Sequence, residues 1–209
     1  LVRGLASGFN LLWLTWGSTT PLLVGAAISM SFSKALKVGS EVAENLADIQ
    51  HLAGATASEI TELSAAMAKM AETTAYGPAK TSEALKVLAL AGLDAKEALV
   101  ALKPTLDFAI TGGMSIEKSA ESLVAISTAY GYGAQGMATV ADTVAKTAAI
   151  SMASVDSMTE SFRVASVVAQ QYGVTLKDSA LNLAFLAQIG IKGTAAGTAM
   201  TNFYSQLVS

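Results

Sequence analysis

The sequence predicts an all-α fold: a bundle of short antiparallel helices and helical hairpins, preceded by an apolar N-terminal helical segment. Three observations carry that expectation. About a fifth of the 209 residues are alanine and only three are proline, which favours helix nearly everywhere. Apolar residues recur at helical spacing between glycine-marked breaks. No stretch alternates apolar and polar residues for long enough to make a strand.

Residues 1–33 form the first division, a candidate membrane-inserting segment. Between Arg3 and Lys34 no side chain is charged, and such a run is long enough to span a bilayer if wholly helical. Gly17-Ser18-Thr19-Thr20-Pro21 interrupts it, leaving Leu5–Trp16 and Leu22–Phe32 as two apolar halves, and Pro21 is expected to break or kink a helix there. A kinked membrane segment, a buried helical hairpin and a secretory signal with Arg3 as its basic end all compete. Trp13 and Trp16 fit interfacial anchors or a core face. The chain opens on Leu1 rather than Met, as a piece of a longer or processed protein would.

From Lys34 the pattern becomes amphipathic. Lys34–Leu52 places Leu36, Val42, Leu46 and Ile49 near one face. Gly54-Ala55-Thr56 breaks the helix, and Thr56 with Glu59 has the capping-box spacing that opens the next, to about Ala75. Tyr76-Gly77-Pro78 stops it, and a shorter helix covers Thr81–Ala91. Gly92 closes that helix, Asp94 with Glu97 opens another, and Pro104 divides it into two pieces ending near Ile110. Gly112-Gly113 is a boundary, after which Ser115 caps a helix with Ile116, Ala120, Leu123 and Ile126 inside. Tyr130-Gly131-Tyr132-Gly133 ends it and Gln135–Ile150 follows. Ser157 with Glu160, or else Asp156 or Ser154, caps the helix that runs to Gln171. Thr175 and Asp178 open Leu176–Ile189. The Leu-Ala-x-x-Gly endings at Gly92 and Gly190 mark two related hairpin units.

Leu186–Leu207 is the most distinctive stretch. One helix ends at Gly190 and another begins at Gly193, with Gly193, Gly197 and Thr201 four apart on one face. Small residues so spaced let a neighbouring backbone approach closely, and in membranes the same spacing is a dimer face. In a soluble chain it reads first as a helix-packing motif, made of Gly92, Gly190, Gly193, Gly197 and Thr201.

Composition narrows the function. Hydrophobic residues make up 52% of the chain, charged residues 14%, and the mean hydropathy is +0.49, against about 25% charge in ordinary domains. Much of the surface should therefore face protein, a second copy or lipid. The absence of cysteine excludes disulfides and thiolate metal sites. His51 is the one histidine, so a two-histidine zinc motif is impossible. Gly131-Tyr-Gly-Ala-Gln-Gly136 spells a dinucleotide pattern, but no strand precedes it. The one-turn acid pairs Glu59/Glu62, Glu117/Glu121 and Asp156/Glu160 suit helix N-termini better than catalysis. No catalytic, metal or cofactor site is expected, and no enzyme. The weak net charge of −3 argues against sequence-specific nucleic-acid binding.

From Phe32 to Leu207 a series of motifs resembles the core domain of the tail tape measure proteins of tailed bacteriophages. They are Phe32-Ser-Lys-Ala-Leu, the Gly54-Ala55-Thr56 break, and Ser82-Glu-Ala-Leu leading to Leu88-Ala-Leu-Ala-Gly92. Ala98-Leu, Ala101-Leu, Pro104, Thr111-Gly-Gly, Ala141-Asp-Thr-Val and Ser151-Met-Ala-Ser-Val-Asp-Ser-Met-Thr-Glu160 follow in the family's order. Tyr172-Gly-Val-Thr-Leu-Lys-Asp and the run Gly190-Ile-Lys-Gly-Thr-Ala-Ala-Gly-Thr-Ala-Met200 complete the series, the last being the most specific. Thr201-Asn202 stands where the family usually has Arg. The resemblance makes 34–209 a helical tape measure core domain. It implies a structural virion protein of the tail-tube lumen, made in the host cytoplasm, that sets tail length and leaves ahead of the DNA into the host membrane. The partners it implies are the tail tube protein, tail assembly chaperones, distal tail or baseplate hub proteins and further copies of itself. A membrane-active pore-forming or toxin-like protein is the alternative, with a soluble helical scaffold or adhesin segment behind it.

Overall fold

The computed structural model describes residues 21–73 and 76–208, so the segments Leu5–Trp16 and the two tryptophans lie outside the described residues. The chain divides into Leu1–Val38 and Gly39–Ser209, and the organisation below is that of the second unit. All regular structure among the described residues is helical. The helices are α1 (Pro21–Leu52), α2 (Ala57–Thr73), α3 (Pro78–Leu90), α4 (Ala95–Gly112) and α5 (Ile116–Ala129). A 3-10 turn (Ala134–Gly136) then leads into α6 (Met137–Ser151), α7 (Val155–Gln171), α8 (Leu176–Gln188) and α9 (Thr194–Val208).

Most starts and stops follow the local chemistry. Thr56 and Glu59 exchange bonds, with the Thr56 N–H donating to Glu59 Oε2 (2.9 Å) and the Glu59 N–H to Thr56 Oγ1 (3.3 Å). Asp94 and Glu97 do the same at α4, and Ser115 and Thr175 each accept the N3 amide of α5 and α8. At α7 it is Ser154, not Ser157, whose hydroxyl accepts the Ser157 amide (3.1 Å). At the other ends, Gly92, Gly113, Gly131, Gly173 and Gly190 all have φ between 62° and 95°. The residue after each returns its N–H to a carbonyl five back, as Leu93 to Leu88 and Ile191 to Leu186. A left-handed residue that satisfies the last carbonyls in this way is what glycine allows cheaply.

Pro21 is the first described residue and stands at the start of α1, and the break expected over Gly17–Pro21 otherwise lies outside the described residues. Pro104 departs from expectation: it does not divide α4, which continues from Ala95 to Gly112. Proline inside a helix costs about 3 kcal/mol, but both flanks are anchored: Ala98, Ala101 and Leu102 before it, Leu106, Phe108 and Ala109 after it, all buried. The bond it deletes ends on Val100, on the exposed side. Pro78 likewise opens α3 three residues earlier than the pattern indicated.

The helices stack in chain order. From α2 onward each packs on the next and on the next but one, and α7 against α9 is the most extensive of these contacts. The C-terminal part of α1 joins the stack at α3, where Asn45 Nδ2 donates to Ser82 Oγ (2.9 Å) and Lys86 pairs with Asp48 (2.5 Å). A single core runs through the stack, with Ile49, Leu63, Leu85, Leu102, Leu123, Val140, Phe162 and Leu183 fully buried. Alanine, leucine, valine and methionine fill it as composition indicated, but buried serine and threonine join them. Thr147, Ser151 and Thr159 turn their hydroxyls back onto the carbonyl four residues earlier, which removes the desolvation penalty of burying them.

Candidate functional site

The residues singled out in the sequence fall into two settings. Gly92 and Gly190 occupy the same one: each follows a helix end, with φ of +95° and +93°. Their amides donate to the carbonyls of Ala89 and Ala187. The α3–α4 and α8–α9 hairpins therefore turn alike. Aligned on these glycines, buried Thr81, Leu85, Ala89, Ala98 and Leu102 match buried Ser179, Leu183, Ala187, Ala196 and Met200.

Gly193, Gly197 and Thr201 lie where α9 crosses α7. Gly193 stands just ahead of α9, with φ +63°, and its carbonyl accepts from Ser161 Oγ (2.8 Å). A Cβ placed on Gly197 would sit 2.6 Å from Val164 Cβ and 2.8 Å from the Ser161 carbonyl oxygen. Those separations are far inside van der Waals contact, and one of the obstacles is backbone. Thr201 Oγ1 donates to the Gly197 carbonyl (2.9 Å). Around this crossing Asn182 Nδ2 donates to Tyr204 Oη (2.6 Å), tying α8 to α9, and Lys192 Nζ donates to the Met152 carbonyl (3.1 Å).

The facing residues on α7 are Ser157, Ser161 and Val164, and the sequence reading missed them. A signal was present: Ser157, Ser161 and Ala165 are small and four apart, the same spacing as on α9. It was masked because Ser157-x-x-Glu160 also has capping-box spacing.

Charged groups form bridges between helices. Lys118 of α5 reaches Asp156 (2.5 Å) and Glu160 (3.2 Å) of α7, and Arg163 joins Glu160 (3.1 Å). Burial pushes the Glu160 carboxyl up, but the bonds from Lys118 and Arg163 outweigh it, and the group sits below its ordinary value of 4.5. The hydrogen bond to Asp156 holds the Lys118 ammonium above its usual value. Glu59 is lowered by its bonds to the Thr56 backbone and side chain. Glu59 thus meets a cap, Asp156 and Glu160 meet cations, and Glu117 faces Glu83 of α3. Gly131 and Gly133 follow helix α5, and a Cβ on Gly136 would lie 2.4 Å from that of Tyr132; the loop is packed against its own tyrosine. His51 is exposed at the end of α1, and no group of three or more potential ligands gathers among the described residues. Nor, among those residues, is any helix long and apolar enough to cross a membrane.

Residues 64–209 match the family described as phage-related minor tail protein. Over 194 residues the chain is 30% identical to the tape measure protein of Pneumococcus phage Dp-1, a span that covers 93% of this chain and 16% of that protein. It is 25% identical over 186 residues to the probable tape measure protein of Escherichia phage P2, covering 88% of this chain and 23% of that one. The chain therefore spans less than a quarter of the length of these relatives. No solved structure matches it.

Proposed function

The chain belongs to the phage-related minor tail protein family, and from that premise we propose that it is a structural segment of a tape measure protein, which as a whole sets tail length during assembly and assists genome ejection. The match over residues 64–209, with relatives named as tape measure proteins, carries the reading. On it the segment catalyses no reaction and lies in the lumen of the tail. Its partners there are the tail tube protein, the assembly chaperones and the distal tail or baseplate hub. The low charge supports a surface along which DNA slides without being held. Residues 1–33 are the part assigned to the host membrane.

We further propose that the segment is carried as a folded helical stack. The close fit of Gly197 on α7 and the continuous core favour the compact form over one drawn-out helix. Gly92, Gly190, Gly193, Gly197 and Thr201 serve in this as packing and turning residues. Replacing Gly197 with Leu should unfold the α8–α9 hairpin, lowering the melting temperature; an unchanged melt would remove the packing role.

Deletion of Lys34–Leu207 from the parent gene is expected to abolish tails of normal length or stop plating. Phage with normal tails and normal plating would overturn the reading. Duplication of the same segment is expected to leave tail length unchanged in electron micrographs. Lengthening by roughly 260 Å, the reach of 174 residues at 1.5 Å each, would show an extended ruler in place of a folded unit.

A further inference from the structure

The likeness of the two hairpins is part of a longer one. Shifted by the 98 residues that separate Gly92 from Gly190, α2 (Ala57–Thr73) falls on α7 (Val155–Gln171) and α3 (Pro78–Leu90) on α8 (Leu176–Gln188), with both ends matching. Gly54, at φ 62°, falls on Met152, at φ 56°. Thr56, which accepts the Glu59 amide, falls on Ser154, which accepts the Ser157 amide. The C-terminal part of α1 through α4 is thus repeated as α6–α9. The first repeat is followed by one more helix: α5 lies on both α3 and α4, with Glu117 facing Glu83. Ile116–Ala129 shifted by the same interval falls at positions 214–227, past Ser209.

Where a counterpart of α5 would lie, no described residue covers α8 and α9. Leu181, Phe185 and Ile189, four apart on α8, are 59%, 63% and 59% exposed, and Phe203 of α9 is 57% exposed. Their counterparts in the first repeat are covered: Glu83, Val87 and Ala91 are half-buried and Thr105 is fully buried. We propose that this face is the seat of a helix of the same chain, at positions 214–227 of the parent protein, lying on α8 and α9 as α5 lies on α3 and α4. The repeat gives that helix its place, and the connection gives it its advantage over any other occupant. Only Gly113–Ser115 separate α4 from α5, and so short a tether holds a following helix at high effective concentration. The relatives have the chain to supply it, since the matched spans are 16% and 23% of their lengths. The occupant's chemistry follows from the seat: α5 meets Glu83 with Glu117, whereas Leu181 and Phe185 require an apolar stripe on the incoming helix. The inference rests on the chain being a segment of a longer tape measure protein, and not on that protein setting tail length.

Benzoylphenylalanine introduced at position 185 of the purified parent protein tests this. Irradiation should join it to a peptide of the same molecule that falls within positions 214–227. A cross-link to a second molecule, or to another part of the chain, overturns the proposal. Because the 209 residues lack cysteine, thiol reactivity gives a second reading. Phe185→Cys should react with N-ethylmaleimide at least about tenfold more slowly in the parent protein than in the 209-residue chain, as a covered position does. Val167→Cys should react equally in both, since Val167 is 68% exposed and its counterpart Lys69 is exposed as well. Equal rates at position 185 in the two proteins overturn the proposal. Neither readout uses tail length, so failure here is told apart from failure of the length-setting reading.

Discussion

Met152 is the one non-glycine among the described residues whose backbone enters the left-handed region, at φ 56°. It sits after α6 where the other helix ends have glycine, and its side chain is 89% exposed, so it gains little from packing to offset the strain. Met152→Gly is expected to raise stability by about 0.5–1 kcal/mol, read as a higher denaturant midpoint at unchanged slope. Tyr130 shows the opposite balance. Its hydroxyl donates to Ser179 Oγ (2.6 Å), and burial raises its pKa from 10.0 to about 12 despite that bond. The folded state thus keeps the phenolic proton longer than the unfolded chain does. The associated stability is whole below pH 10 and is lost as pH rises towards 12. Denaturation midpoints followed from pH 9 to 12 should fall, and Tyr130→Phe should flatten that part of the curve.

Among the elements, the helix ends were the most legible part of the sequence, because caps and left-handed glycines are decided by residues three to five apart. Thr56, Asp94, Ser115 and Thr175 illustrate this. Pro104 was misjudged: a proline's local penalty is visible in sequence, whereas the burial that overrides it there comes from α3, α5 and α6. If that account of α4 is right, Pro104→Ala restores a bond to the Val100 carbonyl and should stabilise the chain by about 1–3 kcal/mol. A lower melting temperature in this variant would show that proline serves α4 in some other way. The close crossing was half legible. The stripe on α9 stood out, but which helix it meets is a long-range fact, and Ser161 and Val164 became partners only once α7 and α9 were placed together. The outer face of α8 shows the same limit: Leu181, Phe185 and Ile189 have ordinary helical spacing, and nothing local says they face outward.

Across the whole molecule, contact follows chain order. Helices separated by more than one intervening helix rarely meet, α4 with α7 and Tyr130 with Ser179 being the longer ties. Stability in such a stack is a sum of neighbour terms and is least at the edges. Native-state hydrogen exchange should therefore be slowest in α4–α7, which have helices on both sides, and fastest in α9. Uniform protection from α2 to α9 would contradict that picture. The same order of contacts has a mechanical consequence. A pull on the Val208 end strains α9 against α7 and α8 only, and α8 bears the load after α9 has let go. Peak force is then set by one helix and does not grow with the number of helices, whereas the length released does. A fifteen-residue helix such as α9 goes from about 22 Å to about 50 Å when drawn out. Under steady tension the chain would lengthen step by step at nearly constant load, absorbing work in the manner of a tearing stitch line rather than snapping at a single threshold.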